Sequence, residues 1–490
     1  MEQKRRFAFD VGWVLVSSAV NLVIAFFLQI VLARWLGALD LGLYTMVVTV
    51  QEIAMLVAGL GISAALLKYV AEYQDTKDRL FQIISSAFII SIIFGLVAGV
   101  LLYFLSGTVA SIFGMPHLSH LLKLLAIAIP FISLFQAVLG LLNGLRMMKN
   151  YTYLIIMRSC LMILLTVILV WLGFGIEGTV FGMVFSAVGG CVFGLYLSRR
   201  YLRLTLQGFF QNAKNLVLFG IQLVGANAVN LIANRTDIMM IGYYLAATKV
   251  GYYSVAVTIS MLLSIIPRAI QRISYPATAE YWYKKDHQSL SEMIDKSMKY
   301  SACILLPLGL GIGFFAKEIV TIIFGAEFIY AASPLCILLI ARVIRGSTVF
   351  PIGSSFSGRG RPDIGLKVDG LSTVLNIGLN IVLIPLFGIA GAAMATTISL
   401  LIGTVIYMML LPRLLRVKID ARWYGWALGL ACVAVAIFWI GTQLINPYIV
   451  GGVVLIGYII LVLRFLLTKE DKALFKSLAY SLKPVAKHQS

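Results

Sequence analysis

The chain has 490 residues, of which 61% are hydrophobic and 12% charged, and its mean hydropathy is +0.97. A soluble protein of this length could not hide so much apolar surface, and long apolar runs without strand-like alternation exclude an outer-membrane barrel. The net charge of +19 would suit nucleic acid on a soluble face, but here the basic residues lie between apolar runs.

Fourteen transmembrane helices are predicted, at 10–34, 40–66, 80–105, 118–145, 150–173, 177–199, 213–245, 248–275, 298–317, 331–355, 364–386, 389–412, 423–442 and 446–467. The first has no small-residue cleavage site and reads as a retained helix. It carries Asn21 and Gln29, with Asp10 at one edge and Arg34 at the other. Span 2 carries Glu52, span 4 Gln136 and Asn143, and span 5 Arg158. Span 7 holds Asn227, Asn230, Asn234, Arg235 and Asp237. At about 100° per residue, the three Asn and the Asp share an arc of about 80°, with Arg235 well off it. Span 8 has Arg268, Gln271, Arg272 and Tyr275, span 10 Arg342 and Arg345, and span 11 Asp369, Thr373, Asn376 and Asn380 on one face. Spans 13 and 14 carry no charge between Trp423 and Leu463.

The connections alternate in charge. One side holds 28 basic residues, including Lys4, Arg5 and Arg6, and Lys469, Lys472, Lys476, Lys483 and Lys487 in the tail, whereas the other side holds Arg34, Lys123, Lys249 and Lys317. This asymmetry predicts both termini in the cytoplasm, an even span count and attraction to anionic lipid, with no nucleic-acid partner. The cysteines Cys160, Cys191, Cys303, Cys336 and Cys432 all fall in spans and read as packing residues. His117 and His120 form a lone loop pair, which reads as incidental rather than metal-binding.

The chain repeats itself. Ala19–Thr49 and Ala228–Thr258 align at an offset of 209 with ten of 31 positions identical, among them Asn21/Asn230, Gly42/Gly251 and Tyr44/Tyr253. "FGIEG" at Phe174–Gly178 returns as "FGIAG" at Phe387–Gly391. Two six-helix lobes are therefore expected, 1–210 and 211–415, related by a pseudo-two-fold axis along the membrane normal. Residues 416–490 add two helices and a basic cytoplasmic tail. The expected fold class is an all-α polytopic membrane protein.

The interior holds six arginines, Arg158, Arg235, Arg268, Arg272, Arg342 and Arg345, against Glu52, Asp237 and Asp369. Such groups are expensive in hydrocarbon and must face protein or a wet cavity. Gln29, Gln136 and Asn143 also suit a plain interhelical hydrogen-bonding role, and Arg158 and Arg272 read as snorkelling to the nearer face. Arg268, Arg342 and Arg345 are the chosen anion-binding groups, because forked guanidinium donors match phosphate oxygens. Arg235, Asn227, Asn230, Asn234 and Asn21 join them as substrate-binding residues, the amides suiting sugar hydroxyls. Asp237, Asp369 and Glu52 are charge-pairing or coupling-ion residues, with Na⁺ or H⁺ as the ion. No catalytic grouping, phosphate loop, metal spacing or cofactor motif is visible, so an enzyme is not expected.

"LARWLGALDLGLYTMVVTV" (Leu32–Val50), "NRTDIMMIGYYLAATKVGYYSVAVTI" (Asn234–Ile259) and "LIPLFGIAGAAMATTIS" (Leu383–Ser399) resemble signature stretches of the polysaccharide exporters of the multidrug/oligosaccharidyl-lipid/polysaccharide superfamily. The resemblance covers nearly the whole chain. It implies a flippase that moves polyprenyl-diphosphate-linked oligosaccharide to the outer leaflet of the cell membrane, through a cationic cavity between lobes. It also implies that spans 13 and 14 help hold the lipid tail. Implied partners are the lipid-linked glycan, membrane lipids and a neighbouring glycosyltransferase or polymerase, with the chain itself a monomer. Lipid II flippases carry arginines in their first two helices, and drug exporters often use an acidic group in helix 1. Here span 1 has only Arg34 at its outer end and Asp10 at its edge. A lipid II flippase and a cation-coupled multidrug exporter remain the alternatives, with a non-transporting scaffold behind them.

Overall fold

The computed structural model describes residues 2–203 and 205–466, with side chains except at 2–11, 14, 15, 226, 273, 353, 354 and 362. The tail lysines from Lys469 to Lys487, and the side chains of Lys4, Arg5, Arg6 and Asp10, lie outside the described residues. Sixteen α-helices follow one another among those residues, and no strand occurs. They are α1 (Glu2–Gly59), α2 (Ile62–Glu72), α3 (Lys77–Ile112), α4 (Pro116–Gly144), α5 (Met148–Leu169), α6 (Gly175–Ser198), α7 (Phe209–Tyr244) and α8 (Ala247–Leu262). Then come α9 (Ile265–Tyr283), α10 (His287–Phe314), α11 (Ala316–Phe324), α12 (Ala332–Gly358), α13 (Pro362–Phe387), α14 (Ile389–Leu415), α15 (Ala421–Gly441) and α16 (Pro447–Leu461).

Ten helical stretches are long and apolar enough to cross a membrane, and twelve when two bent pairs are each taken as one span. The bent pairs are the two halves of α7, at 43°, and α8 with α9, at 42°. Two of the twelve are over-long: Val16–Gly59 has 44 residues and Met148–Tyr201 has 54. A straight 44-residue helix would measure about 66 Å, twice the ~30 Å hydrocarbon core. Glycines at positive φ break both, Gly37 at 79° in the first and Gly173 at 91° in the second. Split at these breaks, the two stretches hold four of the expected spans, which reconciles twelve with fourteen. The protein is a multi-pass membrane protein.

The chain forms two compact units. Unit 1 contains the described residues up to Thr258 together with Val320–Ala331 and Thr373–Ala395. Unit 2 contains Ile259–Ile319, Ala332–Ser372 and the described residues from Thr396 onward. The core of unit 1 includes Leu66, Ile84, Leu141 and Leu154, that of unit 2 Leu290, Ile352, Phe356 and Leu411, all buried. Several serine and threonine hydroxyls in the helices are satisfied by the preceding turn, as when Thr45 donates to Leu41 O and Thr49 to Thr45 O, both at 2.8 Å.

Within unit 1 the sequence repeat becomes a contact. A Cβ on Gly42 would lie 1.8 Å from Ala247 O, and one on Gly251 would lie 2.1 Å from Ala38 O. Ala38 and Ala247 are themselves equivalent at the offset of 209, as are Gly42 and Gly251. Each copy thus sets its glycine on the other copy's alanine carbonyl, a reciprocal contact of the kind a two-fold axis produces. Two further polar contacts flank it. Arg34 Nε donates to Ile323 O at 2.9 Å, and its Nη2 to Ile322 O, at the end of α11. Glu327 accepts from Ala38 N at 3.2 Å, next to the break at Gly37.

Candidate functional site

Each unit holds an arginine–carboxylate pair at membrane depth. In unit 1, Arg235 of α7 donates to both oxygens of Glu52 on α1, with Nε to Oε2 at 2.7 Å. The fork matches the carboxylate, and the pair keeps 24% and 37% side-chain exposure. In unit 2, Arg345 Nη2 on α12 donates to Asp369 Oδ1 on α13 at 2.6 Å. The Tyr407 ring of α14 lies 5.7 Å from that guanidinium, and Arg345 Nη1 is buried with no acceptor among the described residues. Gly403 leaves the room, since a Cβ there would stand 2.3 Å from Ser372 Oγ and 3.4 Å from Arg345 Nη1.

The third carboxylate is held differently. Asp237 accepts from Asn376 Nδ2 at 3.1 Å, from Asn380 Nδ2 at 2.8 Å and from the Tyr253 hydroxyl at 2.6 Å. Asn380 also donates to Asn376 Oδ1 at 3.1 Å, so α7, α8 and α13 share one polar knot in unit 1. Asp237 is thereby turned into protein, whereas Asn227, Asn230 and Asn234 are exposed. Asn234 donates back to Asn230 O at 2.7 Å. Asn21 of α1 accepts from Ser159 of α5 at 2.8 Å.

Arg268 and Arg272 are exposed on α9, and no described carboxylate lies within ion-pairing distance of either. Arg342 is half-buried on α12. Arg158 stacks on the Phe135 ring at 4.7 Å with no carboxylate beside it. The His117 and His120 rings lie 6.4 Å apart, with His120 Nε2 3.5 Å from Glu177 Oε1. No group of three or more His, Cys, Asp or Glu among the described residues is placed to hold a metal.

Residue type and spacing picked out the charges but not all their partners. Nothing in residue type or spacing marks Tyr253 as a partner of Asp237, although it is one of the positions shared by the two repeats. Tyr407 sits in an apolar run and gives no signal of its contact with Arg345.

Solved structures share this polytopic helical bundle. The fold matches the lipid II flippase MurJ in an inward closed conformation with a TM-score of 0.73 at 14% identity, covering 95% of this chain and 99% of that one. It also matches an inward-facing multidrug resistance MATE family transporter of the MOP superfamily, with a TM-score of 0.66 at 18% identity, over 82% and 94% of the two chains. Identities this low speak for the fold alone. Residues 31–333, more than half of the chain, match the polysaccharide biosynthesis protein family, and the chain belongs to that family. Among curated relatives, the probable low-salt glycan biosynthesis flippase Agl15 of Haloferax volcanii is 28% identical over 245 residues, which is 50% of this chain and about half, 52%, of that protein. A putative O-antigen transporter of Shigella flexneri is 23% identical over 82% of this chain and 97% of its own length. The succinoglycan biosynthesis transport protein ExoT of Rhizobium meliloti is 23% identical over 68% of this chain and 66% of its own.

Proposed function

We propose that this protein is a flippase for polyprenyl-diphosphate-linked oligosaccharide, moving the glycan headgroup from the inner to the outer leaflet of the cell membrane. The carrying observation is the charge balance. Glu52, Asp237 and Asp369 are all engaged by groups of the protein itself, while the span arginines outnumber them six to three. This excess of positive charge suits a diphosphate; a cationic drug would be repelled. The printed roles of Agl15, the O-antigen transporter and ExoT support the same reading.

In this reading the two repeats, 1–210 and 211–415, act as lobes that expose the headgroup to alternate sides, and 416–490 supports the lipid tail. Arg268, Arg342 and Arg345 attract the diphosphate, and Asn227, Asn230, Asn234 and Asn21 meet sugar hydroxyls. Arg235 gives both sides of its fork to Glu52 and so positions α7, whereas Arg345, although paired with Asp369, keeps Nη1 without an acceptor among the described residues and has a donor left for substrate. Asp237 is the coupling-ion residue of choice, because the other two carboxylates each neutralise an arginine whereas Asn376, Asn380 and Tyr253 are neutral donors. The chain acts as a monomer with cytoplasmic termini, near the glycosyltransferases or polymerase that make and use its cargo, and without catalysis of its own.

The test is translocation of a fluorescent undecaprenyl-diphosphate oligosaccharide in proteoliposomes. The Arg268→Gln/Arg342→Gln/Arg345→Gln variant should lose transport by on the order of tenfold or more, since a charge-assisted hydrogen bond contributes roughly 1.5–3 kcal/mol. Unchanged transport at equal folding and expression overturns the assignment.

A further inference from the structure

We propose that Arg158, in the first repeat, is a second anion-binding group of this protein and contacts the diphosphate of the lipid-linked cargo. This rests on the flippase reading for its cargo, and on unit 1 alone for its geometry.

Depth comes first. Arg158 lies ten residues into α5, about 15 Å from its start. Phe135, on which its guanidinium stacks, lies nine residues before the end of α4, about 14 Å away from it. Gly190 lies eight residues before the end of α6, about 12 Å. All three sit near the middle of a ~30 Å hydrocarbon layer, so the side chain does not reach a helix end as snorkelling requires.

The site is also built. A Cβ at Gly190 would stand 3.2 Å from Arg158 Cγ and Cδ and 3.1 Å from the Phe135 ring. Glycine there makes the slot through which the arginine stem passes. The guanidinium carbon rests 4.7 Å from the Phe135 centroid, a face that orients a cation without neutralising it. Arg158 Nε is buried without an acceptor among the described residues, and no described carboxylate pairs with this arginine. The contrast is with Arg235 and Arg345, each given a carboxylate by the same fold. The adjacent Ser159 holds Asn21 by its hydroxyl at 2.8 Å, which brings an amide of the first helix to the same level.

A lone guanidinium at this depth is unfavourable by itself. It remains partly accessible, and its open N–H groups form a fork that fits phosphate oxygens. Bound anion supplies the missing countercharge, so binding is favoured by relief of the lone cation as well as by the new hydrogen bonds.

The experiment compares the full chain with Arg158→Met, which keeps the stem and removes the charge, and with Arg158→Lys. Affinity is measured for undecaprenyl diphosphate, for uncharged undecaprenol and for inorganic pyrophosphate, alongside Tm. Arg158→Met should bind undecaprenyl diphosphate and pyrophosphate at least tenfold more weakly, bind undecaprenol as before, and unfold at the same or a higher Tm. Arg158→Lys should fall between, because a point charge replaces a fork. Equal binding of both anions by Arg158→Met overturns the proposal, as does a lower Tm or failure to fold, which would make the guanidinium structural. A pyrophosphate difference without any response to undecaprenyl diphosphate in the parent chain would keep the anion site and overturn the flippase reading instead.

Discussion

Glu52 and Asp369 illustrate what a carboxylate does among span arginines. Removing either leaves a guanidinium without its partner. For a fully buried pair that loss is about 3–5 kcal/mol; the exposure of 24% and 37% in the Arg235–Glu52 pair screens it, and roughly 1–3 kcal/mol is expected after discounting. Glu52→Gln should therefore lower the Tm of the purified chain, and adding Arg235→Met should restore part of the loss, because the pair then disappears together. An additive double variant would show that the two residues are independent. The individual charges were legible from residue type alone. Their pairing was not, since Arg235 and Glu52 are 183 positions apart and helical periodicity says nothing about which helix a face meets. The depth of Arg158 is illegible for a related reason: it depends on the start of α5 and on the slot at Gly190, neither visible in a single span.

At the scale of elements, two contacts decide how helices sit. Alanine in a helix is normally better than glycine by about 1 kcal/mol. At Gly42 the added methyl would meet Ala247 O at 1.8 Å, and overpacking of this kind costs about 1–3 kcal/mol. Gly42→Ala and Gly251→Ala should each lower Tm, and the double variant should fall short of the sum, because both act on one reciprocal contact. The repeat itself predicted that these glycines correspond; only the structure reveals that they touch. In unit 2 a second contact ties α10 to the start of α15. Asp420 caps α15 by accepting from Trp423 N at 3.1 Å, and Lys299 bridges Asp420 and Asp295 at 3.2 and 2.8 Å. The Trp423 N–H, with Lys299 beside it, holds the Asp420 carboxyl below its ordinary value of 3.8. A lowered folded-state pKa stabilises the fold above 3.8 and loses that effect as pH falls through the folded value. Asp420→Ala should thus unfold at a lower Tm at neutral pH, by a cap worth about 1 kcal/mol, and the gap should narrow in acid below 3.8. A gap constant with pH would remove the charge from the account.

For the whole molecule, the argument turns on direction. In the proposed flippase reading, the diphosphate must be received on the basic side and released on the other. The loops at the two ends differ by 28 basic residues to four, and insertion favours the basic end inside. Two exposed turns at opposite ends report on this. Lys285 lies between α9 and α10, among Lys284, Lys285, Lys296 and Lys299, and Leu444, 81% exposed, lies between α15 and α16 in a turn without basic residues. In a chain whose five cysteines are replaced, Leu444→Cys should react with a membrane-impermeant maleimide in intact cells, and Lys285→Cys only after permeabilisation. The opposite pattern would invert the protein in the membrane, and with it the direction in which the arginines could draw cargo. Labelling of both in intact cells would mean mixed insertion, which a charge difference of this size does not allow. The expected pattern would place the entrance of the translocation path at the basic end, so that an arriving diphosphate passes the loop lysines before it meets the interior guanidinium groups.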